Sequence, residues 1–187
     1  MQTSQAARVF LDTCHLIHAK GMVSGSGGNI SLRCEDGILI TPSGRSLESL
    51  KEEDLVILQP DGSFTCANGG RPSKEWRMHL ACYGRDDVQA VVHVHSVHAV
   101  AVSCLKDVNT ASAIPVYTPG YCLRVGDLPL LPYYKPGSLA VGRSMEEALN
   151  VVEEIEDEAK LFLLLGDRGA ALSEEDQAAL PPRGMRV

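Results

Sequence analysis

The sequence predicts a single α/β domain spanning residues 1–187. Two stretches, residues 4–20 and 144–162, carry apolar side chains at helical spacing. Between them lie short runs of β-branched and aliphatic residues at 37–40, 53–58 and 91–102, the signature of strands. A chain of 187 residues with 44% apolar and 22% charged residues is long enough to bury one proper core.

Each element follows from its local chemistry. In the first helix Ala7, Phe10, Cys14 and Ile17 recur at spacings of three and four, and Gly21 stops it. His15 and His18 lie one turn apart there and read as ordinary helix histidines. The stretch Ser24-Gly25-Ser26-Gly27-Gly28-Asn29 precedes a strand containing Ser31 and Arg33. Such a loop lets backbone amides approach an anion, although composition alone favours a hairpin connector. Residues 37–40 form a short strand, followed by Thr41-Pro42-Ser43-Gly44-Arg45, a turn rich in hydroxyls and free amides. Residues 47–50 read as a helical turn and 53–58 as a strand, closed by the hairpin turn Pro60-Asp61-Gly62. Arg71-Pro72-Ser73 leads into a helix with Ser73 as N-cap and Glu75 in the first turn, ending near Tyr83 before Gly84.

Beyond the histidine-bearing run, residues 99–105 continue as a helix and 115–119 are extended or turning. Residues 128–134 are a short, proline-bounded apolar segment, and Pro136-Gly137-Ser138 breaks the chain. Ser144 and Glu147 have capping-box spacing. The helix they open buries Met145, Ala148, Leu149, Val152, Ile155, Ala159 and Phe162, carries a Glu156/Lys160 pair and ends at Gly166. Residues 173–180 form a final helix, stopped by Pro181 and Pro182, with a frayed tail after it.

The chemistry concentrates between Glu75 and His98. His93 and His95 lie two apart in a strand pattern and so project from one face. Glu75 lies just upstream, and one carboxylate with two imidazoles is a donor set that zinc takes in hydrolytic and carbonyl-polarising sites. A His-x-His pair on a strand is more often structural or superficial. Here, however, three histidines interrupt an apolar run, and burying them without partners would be costly, which brings the metal pair level with the bland alternative.

The net charge of −7 argues against nucleic acid as a general partner and leaves room for a local pocket for a phosphorylated substrate. No apolar run reaches transmembrane length and the N-terminus has no secretory h-region, so neither membrane nor export is expected. Six cysteines without a C-x-x-C pair read as reduced thiols of a cytoplasmic protein.

Four motifs, in this order and spacing, resemble the class II aldolase/adducin-like family. They are Gly28-Asn29-Ile30-Ser31-x-Arg33, Thr41-Pro42-Ser43-Gly44, Pro72-Ser73-Lys74-Glu75, and His93-Val94-His95 with Ser96-x-His98. Within that family the 71–76 and 92–105 stretches are most similar to the 3-oxo-tetronate 4-phosphate decarboxylase branch. The resemblance covers essentially the whole chain. It implies a three-layer α/β/α fold with a central, mainly antiparallel sheet, a divalent metal (usually Zn2+), and a homotetramer with active sites at subunit contacts. It places the acid/base and one metal ligand on Glu75, two more ligands on His93 and His95, and the phosphate-binding loops on Gly28, Asn29, Ser43, Gly44, Ser73 and Lys74. His79 and His98 are taken as structural or supporting residues.

The reaction so implied is decarboxylation of 3-oxo-tetronate 4-phosphate to dihydroxyacetone phosphate and CO2 through a metal-stabilised enediolate, with Glu75 delivering the proton. An aldolase or 4-epimerase acting on a pentulose or deoxysugar phosphate is the alternative within the enzyme class. One departure matters. Family members carry a third metal-binding His in an Asn-His-Gly stretch, whereas this chain has no His after His98 and runs from Ser138 directly to Leu139-Ala140-Val141-Gly142. A segment after Ser138, holding a helix and a strand, is therefore expected to be lacking, either through a natural deletion or because the sequence as written omits it. A catalytically impaired variant serving as a subunit or binding module is the reading that this departure favours.

Overall fold

The computed structural model describes residues 1–125 and 137–181. The expected proline-bounded segment at 128–134, Pro136 and the tail beyond Pro181 lie outside the described residues. The chain divides into two compact units: residues 1–95 with 139–149, and the described residues of 96–138 and 150–187.

The first unit holds the helix α1 (Thr3–Ala19) and most of a six-stranded sheet. The strands are β1 (Asn29–Cys34), β2 (Gly37–Ile40), β3 (Val56–Leu58), β4 (Phe64–Cys66), β5 (Ala90–Val94) and β6 (Ser138–Gly142), in the order β4-β3-β2-β1-β5-β6. The β1–β2, β2–β3, β3–β4 and β1–β5 pairs are antiparallel. Register decides what shares a face: Asn29 pairs with His93, and Ser31 with Val91 on one side and Ile40 on the other. Because side chains alternate, Asn29, Ser31, Val91 and His93 face one way, and Ile30, Leu32 and Val92 the other.

The short helix α2 (Trp76–Cys82) joins an apolar cluster of Ile38, Ile40, Val56, Leu58, Tyr83, Val88 and Val91, with Trp76 and Leu80 packed against it. Helix α1 packs against β1 and β2 and buries Ala6, Ala7, Phe10, Cys14 and Ile17, the face its spacing predicts. Gly21 ends it at φ 70°, the left-handed conformation that glycine adopts without strain.

In the second unit, α3 (Val97–Ser103), α4 (Pro119–Arg124) and the later turns of α5 (Met145–Leu165) bury Ala99, Val102, Tyr121, Ile155 and Ala159 around Ile114 and Val116. The final helix is α6 (Glu174–Ala178), with Ser173 and Asp176 forming a capping box.

Several local expectations are corrected. Glu75 is itself the N-cap of α2 rather than a first-turn residue, because Ser73 stands further back and its Oγ accepts from the Glu75 N–H at 3.3 Å. The capping box at Ser144 is half formed: Ser144 Oγ accepts from the Glu147 N–H, but the Glu147 carboxylate takes the Arg143 N–H instead of that of Ser144. Glu156 does not rely on Lys160; its carboxylate accepts from the N–H groups of His98 and Ala99 and meets His98 Nδ1 at 2.7 Å. The histidine strand ends at Val94, so of His93, His95 and His98 only His93 is buried. Strands β4 and β6 and helix α4 were not expected. No helix among the described residues is long and apolar enough to cross a membrane, and all six cysteines are free thiols.

Candidate active site

The site is built where α2 lies beside β1 and β5. Helix α2 and its flanks carry Glu75, His79 and Tyr83 four residues apart, which puts them on one face. Strand β1 carries Asn29 and Ser31 two apart, also on one face. Four helical residues rise about 6 Å and two strand residues about 6.8 Å, so the two series stay in step.

The contacts alternate accordingly. Tyr83 Oη lies 2.9 Å from Ser31 Oγ, Ser31 Oγ 2.7 Å from His79 Nδ1, and His79 Nε2 2.6 Å from Asn29 Oδ1. Asn29 Nδ2 donates to Glu75 Oε2 at 2.5 Å. The far end of the series is closed by Arg33, which donates to the Tyr83 carbonyl and stacks its guanidinium over the Tyr83 ring.

Glu75 Oε2 lies 3.5 Å from His93 Nε2, and His93 Nε2 lies 3.0 Å from His95 Nε2, with the two rings edge-on at 74°. The three residues named from the sequence are thus brought together, although His95 sits just beyond the end of β5. His93 is nearly buried, and Glu75 keeps about a third of its side chain exposed. His79 is fully buried, and this holds its pKa down at about 3, with the charge on His93 adding to the effect. Burial also raises the Tyr83 phenol above its ordinary range, so it stays protonated.

Two of the proposed phosphate loops are joined. Pro42 and Pro72 form an antiparallel bridge, the Ser43 N–H donates to the Arg71 carbonyl and the Ser73 N–H to the Thr41 carbonyl. This sets Ser43 and Gly44 beside Ser73 and Lys74. Ser43, Gly44 and Lys74 are exposed and Ser73 is buried. Gly44 takes φ 76° with open space around it. Gly28 is different. It combines φ 72° with no room, since a Cβ would meet Val23 Cγ1 at 2.5 Å and the His93 carbonyl oxygen at 3.0 Å, so glycine there serves the close approach to β5. The Asn29 side chain is turned to His79 and Glu75.

Two imidazoles and a carboxylate suit a divalent cation chemically. Nitrogens sharing one zinc at about 2.0–2.1 Å would be about 3.4 Å apart, near the spacing of His93 and His95. Among the described residues, however, no three such groups close into a formed metal cluster. As they stand, one imidazole N–H donates to the other ring.

Residues 8–170 match the family described as Class II Aldolase and Adducin N-terminal domain. The chain belongs to the class II aldolase and adducin family. It is accordingly a carbon–carbon lyase of a family whose members typically depend on a divalent metal. The chain is 37% identical, over 175 residues, to the 3-oxo-tetronate 4-phosphate decarboxylase of Escherichia coli K12, covering 80% of this chain and 82% of the relative. It is 34% identical over 206 residues to the L-fuculose phosphate aldolase of the same strain, covering 96% and 94%. Its mixed helical and antiparallel-sheet fold superposes on YgbL from Klebsiella pneumoniae with TM-score 0.88 at 31% identity, covering 97% and 100%. An L-fuculose 1-phosphate aldolase superposes with TM-score 0.81 at 26% identity, covering 96% of both chains.

The decarboxylase alignment runs over 175 positions yet takes up 80% of the 187 residues, about 150, so about 25 positions of that relative face no residue here. The aldolase alignment leaves a gap of similar size.

No local motif announces the Asn29–His79–Ser31–Tyr83 series. The spacing Asn-x-Ser on a strand against Glu-x-x-x-His-x-x-x-Tyr on a helix was the signal that could have found it.

Proposed function

We propose that this chain decarboxylates a phosphorylated 3-oxo sugar acid, 3-oxo-tetronate 4-phosphate, to dihydroxyacetone phosphate and CO2. The observation that carries this reading is the convergence of Glu75 Oε2, His93 Nε2 and His95 Nε2 within 3.5 Å steps, next to the bridged loops at 41–44 and 71–74. Its identity to the named decarboxylase of Escherichia coli supports the choice of substrate.

In this reaction the C1–C2 bond breaks and its electron pair stays on C2, beside the C3 ketone, as an enediolate. A proton then adds to C2. Glu75 is the group that delivers it: its carboxyl is partly open to solvent and its Oε2 is fixed by the Asn29 amide. Glu75, His93 and His95 would hold a divalent cation, zinc by donor type, which when bound supplies Lewis-acid stabilisation for negative charge on oxygen. Ser43, Gly44, Ser73 and Lys74 hold the phosphate through hydroxyl, amide and ammonium donors, and their distance from the histidines selects the length of the sugar acid. We take the chain as a single catalytic domain that works in the cytoplasm as a homotetramer.

The gap of about 25 positions against the relatives favours a second reading, a poorly active variant that serves as a subunit or binding module. Incubating the purified chain with zinc and the 3-oxo acid, and measuring CO2 release, separates the two. Metal-dependent release that is lost in Glu75→Gln supports the decarboxylase. No release, or aldol cleavage of a ketose 1-phosphate in its place, overturns it.

A further inference from the structure

We propose that His79 is a positioning residue for Glu75, acting through the side-chain amide of Asn29 and held in one tautomer by Ser31 and Tyr83. The proposal rests on the reading of Glu75 as the proton-delivering group.

While Glu75 is ionised, one placement of the hydrogens satisfies every group in the series. The Asn29 amide oxygen can only accept, so His79 Nε2, at 2.6 Å, carries the proton. A ring buried this fully takes the neutral form, so its Nδ1 is bare and accepts from the Ser31 hydroxyl at 2.7 Å. The Ser31 oxygen then receives the Tyr83 hydroxyl at 2.9 Å. Four donors thus point the same way and end at Glu75 Oε2, 2.5 Å from Asn29 Nδ2. Reversing the amide would set its oxygen against the carboxylate and its N–H group against a ring nitrogen that would have to lose its proton. While Glu75 is ionised the order therefore runs from Tyr83 onwards, and its product is a carboxylate oxygen held 3.5 Å from His93 Nε2.

The series positions and does not conduct. An amide side chain does not readily pass a proton from its oxygen to its nitrogen, so Asn29 breaks any relay between His79 and Glu75. Its effect on turnover comes through the placement of Glu75, which acts during bond breaking, and not through contact with the substrate phosphate. It should alter kcat and leave KM for the phosphorylated substrate in place.

Two measurements test this. The first is independent of turnover: nitrogen-15 NMR of histidine-labelled protein from neutral pH to about pH 5, together with the Asn29 side-chain amide signals. We expect His79 as the neutral Nε2–H tautomer throughout, and an Asn29 amide proton far downfield that moves back in Glu75→Gln and also in His79→Phe. A protonated or Nδ1–H His79, or an Asn29 signal that His79→Phe leaves in place, overturns the proposal. The second is kinetic. Folded His79→Phe should lose roughly tenfold or more in kcat with KM within about twofold, and His79→Gln, which restores a donor, should recover much of that loss. A kcat within about twofold of wild type, or a change confined to KM, overturns it. If His79→Phe does not fold, Ser31→Ala takes its place in both experiments, because it removes the donor that fixes the tautomer. A wild-type chain without decarboxylase activity would refute the proposed reaction, and the NMR result would still decide whether His79 places Glu75.

Discussion

His79 is buried as a neutral ring, and that state has a consequence on acidification. In the unfolded chain a histidine takes up a proton near pH 6.5, whereas in the fold burial holds this one down to about 3. Between those values the unfolded state binds more protons, so stability rises with pH there. The contribution is fully present above about pH 6.5 and is lost as pH falls towards 3, with a limiting slope of about 1.4 kcal/mol per pH unit. The urea midpoint of the wild-type protein should therefore fall between about pH 6.5 and 5, and His79→Gln should flatten that fall. Parallel slopes in the two proteins would show that His79 is not the group responsible. At this scale the sequence was legible where a spacing carried the chemistry. His93 and His95 were read from their two-residue interval, and their ring nitrogens do meet. The family resemblance assigns Asn29 to a phosphate loop. Its side chain is engaged by a histidine 50 residues away, a pairing that no local pattern reports.

At the scale of elements, the bridge between Pro42 and Pro72 makes one surface of two loops far apart in sequence. Ser43→Ala and Ser73→Ala should each raise KM for a phosphorylated substrate roughly ten- to a hundredfold, the equivalent of about 1.5–3 kcal/mol for a hydrogen bond to a charged group, without changing metal content. Unchanged KM in both would remove these loops from the phosphate site. In the second unit the buried Glu158 carboxylate accepts from the Tyr117 and Thr118 N–H groups and from the Thr118 hydroxyl, just ahead of α4. Glu158→Ala would orphan these donors and should lower stability by about 1–3 kcal/mol, read as a lower urea midpoint. A midpoint unchanged by the substitution would mean that water replaces the carboxylate.

Long amphipathic helices were legible from the period that one-sided burial imposes, and β5 from its unbroken β-branched run, buried throughout. Helix α4 was not, since its two glycine- and proline-type residues read as a turn. Yet Thr118 as N-cap, accepting from the Tyr121 N–H, with Pro119 at the first helical position, is a start signal that could have been used. Strand β6 escaped because it follows Gly137 with no alternation strong enough to announce it. Its order beside β5 is a tertiary fact.

For the whole molecule the decisive feature is what the chain does without. The family resemblance implies a third histidine ligand in a stretch that this sequence lacks, and the relatives hold about 25 positions with no counterpart here. The six-stranded sheet nonetheless forms, with β6 beside β5. The strand that carries His93 therefore persists. Two imidazoles and one carboxylate can bind zinc when they are held rigidly and aimed together. Here Glu75 is held by Asn29 and His93 by the register of β5 against β1, but His95 stands outside the strand and the three groups do not close into a cluster among the described residues. The expected outcome is metal that binds weakly and leaves readily. Dialysis against a mild chelator should strip zinc from the purified protein, as measured by elemental analysis, and Glu75→Gln should weaken the binding further. About one zinc per subunit retained through dialysis would mean that a donor from elsewhere in the chain, or from a second copy, completes the set. Activity would then be expected to rise with assembly, which a concentration series of the CO2-release assay would reveal.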